Sequence, residues 1–109
     1  MAKNESLQGA LDLLVLKILA KRGPLHGYGI TLQIEQISDD VLRVEEGSLY
    51  PAMHRMEEAG WIKAEWGASE NNRRARYYTI TTAGRKQLAT EQDKWMAVAG
   101  AVTRFLGYV

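Results

Sequence analysis

The sequence predicts a mainly α (α+β) domain of four helices and one two-stranded antiparallel hairpin. Three observations carry that reading. Apolar residues recur at three- and four-residue steps through four separate segments, the period drops to two just after Gly60, and a polar, arginine-rich loop separates two alternating runs.

At 109 residues, 46% hydrophobic and 25% charged, the chain can bury one modest core and no more. It has no cysteine, which removes disulfides and thiolate metal sites. The start lacks a charged segment followed by an apolar run and a cleavage signal, so a cytoplasmic location is expected. The most apolar stretch, Ala10 to Ala20, contains Asp12 and Lys17 and falls short of the ~20 residues that span a bilayer. No membrane partner is expected.

The first helix is read over residues 7–21, with Leu7, Leu11, Leu14, Val15, Ile18 and Leu19 on one broad side and Leu13 and Leu16 on another. A small domain leaves one side of such a helix to water, so apolar residues on both sides imply a second chain. Gly23-Pro24 breaks it. The second helix covers 27–37 with Ile30, Ile34 and Ile37 inward, and Ser38-Asp39-Asp40 ends it before an extended Val41 to Val44.

The third helix is expected to begin near Leu49, with Ser48 as its cap and Pro51 in the first turn, where a missing N–H has no helical acceptor. Leu49, Ala52, Met53, Met56 and Ala59 then share one face, and Ser48, Tyr50, Pro51, His54, Arg55 and Glu58 the other. Gly60 closes the helix in a left-handed conformation. Ile62, Ala64 and Trp66 next alternate with Lys63 and Glu65, and a second alternating run, Arg76 to Thr81, follows the loop Gly67 to Arg74. The last helix should start at Thr81 or Thr82 and reach about Leu106. At ~1.5 Å per residue its roughly 25 residues outrun a domain of this size. Leu88, Gln92, Trp95, Ala99, Val102 and Leu106 repeat along it like a coiled-coil seam. A homodimer built on this seam and on Leu11 and Leu14 is expected.

A short helix running into a hairpin with a basic tip is the core of a winged helix-turn-helix DNA reader. Residues 1–81 are read as that domain and 82–109 as a C-terminal dimerisation helix. The charge pattern agrees. The net charge is −3 over residues 1–60 and +4 over 61–90, so a polyanion is drawn to Lys63, Arg73, Arg74, Arg76, Arg85 and Lys86. A solvated arginine-rich loop is the blander alternative.

The blocks Leu25-His26-Gly27-Tyr28, Gly47-Ser48-Leu49-Tyr50-Pro51-Ala52, Arg55-Met56-Glu57, Gly60-Trp61-Ile62, Tyr77-Tyr78 and Thr81-Thr82-Ala83-Gly84-Arg85 resemble, in order across residues 7–90, the PadR family of bacterial transcriptional regulators. The single terminal helix resembles its short subclass. The resemblance implies a dimeric repressor on a pseudo-palindromic operator, sometimes released by a small aromatic ligand. By position, Ser48, Tyr50, Pro51, His54 and Arg55 would enter or border the major groove, and Arg73, Arg74 and Arg76 would reach phosphates or the minor groove. The chain departs from the family at Gly29, at Met53 and Met56, and at the wing tip Asn71 to Ala75.

Arg55 is the strongest candidate base reader, because a guanidinium grips guanine O6 and N7 through two parallel hydrogen bonds. The alternative is an ion pair with Glu58. His54 either donates to DNA or is a plain surface histidine, and Tyr50 offers a hydroxyl to phosphate or packs half-buried. Tyr78, in phase with Ile80, is read as core, and Tyr77 as more exposed. Trp95, with Met96 and Ala99, either fills the dimer core or sandwiches a flat aromatic effector between two protomers. Enzyme readings fail on chemistry. His26 and His54 lie on different elements, with His26 read as capping or packing at the second helix, and Gly27-Tyr28-Gly29 is no phosphate loop. No metal or cofactor is expected. The expected partners are duplex DNA, a second copy and a small aromatic effector. The competing reading is a winged-helix module that docks a protein without specific DNA binding.

Overall fold

The computed structural model describes residues 5–109, with side chains from residue 10 onward, so Leu7 lies outside the described side chains. The elements in order are α1 (Glu5–Arg22), α2 (Gly27–Ile37), α3 (Glu46–Glu58), β1 (Ile62–Ala68), β2 (Arg74–Ile80) and α4 (Thr82–Leu106).

Helix ends follow local chemistry. At the end of α3, Gly60 has φ +81°, the Trp61 amide donates to the Met56 carbonyl and the Gly60 amide to Glu57, each at 3.0 Å. These two bonds satisfy carbonyls that a helix end leaves open. Asp39 does the same for α2 at φ 54°, with Asp40 donating to Glu35 at 2.8 Å. At the start of α4 the Thr81 hydroxyl accepts from Gly84 at 3.0 Å and donates to the Gly60 carbonyl at 2.6 Å, tying α4 to the α3 end. The α3 start differs from expectation. It lies a turn earlier, capped by Glu45 without a side-chain bond, so Ser48 is already helical and Pro51 stands inside the helix. Pro51 has no N–H for the carbonyl one turn back, and it is tolerated because it faces solvent.

The hairpin pairs Ile62 with Ile80, Ala64 with Tyr78 and Trp66 with Arg76. Five residues, 69–73, make the turn, so both strands run further toward the tip than the sequence indicates. Leu25 exchanges two backbone hydrogen bonds with Tyr78, 2.8 and 3.2 Å, on the outer edge of β2. That brings the start of α2 beside the wing.

The core joins Val15, Leu16, Ile18 and Leu19 of α1 to Ile30, Ile34, Leu49, Met53, Met56, Ile62 and Tyr78. Leu16, expected to face another chain, is fully buried in its own domain. Leu11, Leu14 and Leu88 also pack partly buried against this core, and α1 packs along α4. The chain's own α4 therefore covers part of α1. Ile37, expected inward, is exposed, because the core ends one turn earlier at Ile34. Residues 41–44 form no strand, and of them Val44 packs against the core.

Gly84 abuts the Trp61 carbonyl oxygen and Ile80 so closely that a Cβ would overlap them. Gly84→Ala should therefore cost roughly 1–3 kcal/mol of stability through overpacking, seen as a lower urea midpoint at unchanged slope.

Candidate nucleic-acid interface

Helix α3 has four sides. Leu49, Ala52, Met53 and Met56 are buried, Pro51, His54 and Glu58 face solvent, and the two flanks reach neighbouring elements. On the flank toward α1, Arg55 donates from both terminal nitrogens to Asp12, 2.8 Å to Oδ2 and 2.7 Å to Oδ1. Asp12 is 5% exposed and is the buried charge among the described residues. The Arg55 pKa is raised, chiefly by the hydrogen bond to Asp12 against the opposing effect of burial, with the charges of Asp12 and Glu91 adding to it. A bidentate grip on a carboxylate uses the same guanidinium edge that would grip a guanine. Arg55 is thus already engaged, and its ion-pair partner is Asp12 rather than Glu58. Glu58 instead faces His54 at 3.6 Å, with both side chains largely exposed. Such a pair contributes little.

On the other flank, Tyr50 lies over Gly27, where a Cβ would stand 2.5 Å from the hydroxyl. A side chain at 27 would push the Tyr50 ring aside. His26 caps α2, its Nδ1 accepting from the Gly29 amide at 3.0 Å. In a neutral ring that bond leaves the proton on Nε2. The ring centroid lies 5.3 Å from that of Tyr77 and 6.4 Å from that of Tyr28.

The wing carries the cations. Arg76 donates to Glu57 of α3 at 2.8 Å and lies over the rings of Trp66 and Tyr78. Arg76, like Arg55, is held within the fold, whereas Arg73 and Arg74 are exposed at the tip. The tip is closed by Ser69 donating to the Arg73 carbonyl at 2.7 Å and by Asn72 at φ 57°. Tyr78 is core and Tyr77 less so, and burial pushes the Tyr78 hydroxyl pKa up.

Between the α2 start, Tyr50 and the wing runs an open groove of about 940 Å³, lined among others by His26, Tyr28, Tyr50, Arg73, Arg74 and Tyr77. The structure brings Tyr50, Arg73, Arg74 and Arg76 together there. Ser48, Pro51 and His54 stand outside it on α3, and Trp95, Met96 and Ala99 lie apart on α4. His26, Tyr28 and Tyr77 enter the groove without having been singled out as contact residues. The block Leu25 to Tyr28 signals His26 and Tyr28, but only the Leu25–Tyr78 bridge puts it beside Tyr77 and the wing.

The model of the PadR-like transcriptional regulator family matches residues 15–90, more than half of the chain. The chain belongs to this family. Solved structures agree with this PadR-like assignment. A transcriptional regulator from Clostridium thermocellum superposes with a TM-score of 0.82 at 29% identity, covering 94% of this chain and 98% of that one. A PadR-like transcriptional regulator from Bacillus cereus gives 0.79 at 27% identity, covering 97% and 100%. An uncharacterized 37.1 kDa protein in a transposon of Streptomyces fradiae is 39% identical over 91 residues, 84% of this chain but 24% of that protein. This PadR-like chain is a DNA-binding transcription regulator, not an enzyme. Among the described residues, no helix is long and apolar enough to cross a membrane.

In a PadR-like domain with this geometry, Arg55→Ala strands a buried carboxylate. The half-exposed guanidinium moderates the loss, so roughly 1–3 kcal/mol is expected. His54→Ala should change stability by less than about 1 kcal/mol. Urea denaturation of the two variants in parallel checks both.

Proposed function

We propose that the protein is a repressor that binds a pseudo-palindromic operator as a homodimer, with residues 1–81 reading DNA and 82–109 pairing the protomers. The observation that carries the reading is the cationic wing beside the exposed face of α3, with the groove between them. Ser48, Tyr50, Pro51 and His54 are the side chains offered to the major groove, and Arg73 and Arg74 those offered to phosphate. Two recognition helices about 34 Å apart would meet successive major grooves. The molecule is 57 Å long against 30 and 29 Å across, and Trp95, Met96, Val98, Val102, Phe105 and Leu106 are exposed along α4. An apolar row of that length favours a second copy as its cover. Gln92 would lie on the same seam, and half-buried Ala99 beside Trp95 would let helices approach. A flat aromatic effector between paired Trp95 rings, against Met96, would act by changing the spacing of the two recognition helices. A cytoplasmic site of action fits this role.

One observation favours a second reading. The outer face of α3 presents no unpaired cation, since Arg55 is held by Asp12 and His54 faces Glu58. A protein-docking module would need none.

Fluorescence anisotropy against the DNA upstream of the chain's own gene and a scrambled duplex separates the readings. Tighter binding to the upstream DNA that survives physiological salt is expected of the repressor. No binding to either duplex favours the docking module. Val102→Glu with Leu106→Glu should turn a dimer into a monomer by light scattering, and operator affinity should fall at least tenfold with it. A dimer that persists would place the interface elsewhere.

A further inference from the structure

The wing presents an exposed tryptophan beyond the end of the core. On the inner face of the hairpin, Ile62 opposes Ile80 and Ala64 opposes Tyr78, and these residues close the core. Trp66 continues the same face one pair further out, opposite Arg76, where the core has ended, and it is 59% exposed. The Arg74 guanidinium carbon sits over its ring, 4.6 Å from the centroid, and Arg76 approaches at 6.0 Å. Arg76 is neutralised by Glu57 at 2.8 Å. Arg74 is therefore the cation that the indole holds out to solvent. Beside it, Trp66, Gly67, Ala68, Asn72 and Arg74 line a shallow hollow of about 280 Å³.

We propose that Trp66 is a DNA-positioning residue of the wing, whose indole holds Arg74 in place so that the hollow beside it seats one phosphodiester of duplex DNA. The proposal rests on the DNA-binding reading above. Charge complementarity selects the occupant, since residues 61–90 carry +4 in a chain of +1 and the hollow joins a guanidinium to the Asn72 amide. A free arginine loses most of its rotamers on meeting a phosphate. One already stacked on an indole has less to lose, and the contact is then counted fully in the release of counterions. The chain of contacts Glu57–Arg76–Trp66–Arg74 also fixes the wing tip relative to α3, so the phosphate contact and the recognition helix keep one register.

The test is the salt dependence of binding to a labelled duplex that the wild-type protein binds. Arg74→Ala should lower the slope of log affinity against log salt by about one phosphate. Trp66→Ala, which removes no charge, should lower it by the same amount, Trp66→Phe should keep it, and the Trp66→Ala/Arg74→Ala pair should fall no further than either single variant. Acrylamide quenching gives a second readout. Saturating DNA should shield a component of the wild-type emission that Trp66→Phe lacks. An unchanged slope in Trp66→Ala, or equal shielding in wild type and Trp66→Phe, would overturn the proposal while leaving DNA binding intact. Failure of the wild-type protein to bind any duplex would overturn the DNA-binding reading, and this site with it.

Discussion

Asp12 is a buried carboxylate in the most apolar stretch of α1, and an unpaired charge there would cost several kcal/mol. Arg55 answers it with two short hydrogen bonds from α3. The pair has a directional consequence that apolar packing lacks. Leucines and methionines would tolerate a small rotation of α3, whereas a bidentate guanidinium fixes both its distance and its tilt against α1. Because α1 also packs along α4, the recognition helix is registered against the element proposed to join two protomers. The Glu91 charge on α4 adds to the same electrostatic environment. The ion pair thus adds a directional link between α1 and α3 to the apolar core that the two helices share with Leu88 of α4.

The opposite flank of α3 is fixed by different means. Tyr50 rests on Gly27, and Glu57 holds Arg76 of β2. With Arg55 on one side and Glu57 on the other, α3 is pinned by charge at both flanks. Its solvent sector is left to small, neutral or self-paired groups, and free cations are displaced to the wing. On the proposed reading, affinity and sequence reading are divided between elements: the wing would supply the salt-dependent attraction, and the α3 face shape and a few hydrogen-bonding groups.

Most of the architecture was legible because its signals are local. Thr81 and Thr82 mark the α4 start, Gly60 marks the α3 end, and the change of period at Ile62 marks the hairpin. The α3 start was misjudged because Ser48 ahead of Pro51 mimics a cap, while nothing local reveals that Glu46 and Gly47 are already helical. The partner of Arg55 is illegible in the sequence for a deeper reason. It lies 43 residues away, and only tertiary packing brings the two together. The clue was Asp12 itself, a charge in the middle of the most apolar stretch of the chain, which demanded a partner without naming it. Trp66 was similarly hidden. Alternation places it on the core face, but where the core stops along that face depends on the third dimension.

We propose that Arg55 serves the fold rather than the base sequence. A duplex library selected in parallel by the wild-type protein, Asp12→Asn and Arg55→Leu tests it directly. If Arg55 is a clamp, both variants should lose affinity to a similar extent across the library and keep the wild-type base preferences. Relaxed preference at one base position in Arg55→Leu, with Asp12→Asn left unchanged, would contradict it and return Arg55 to the major groove.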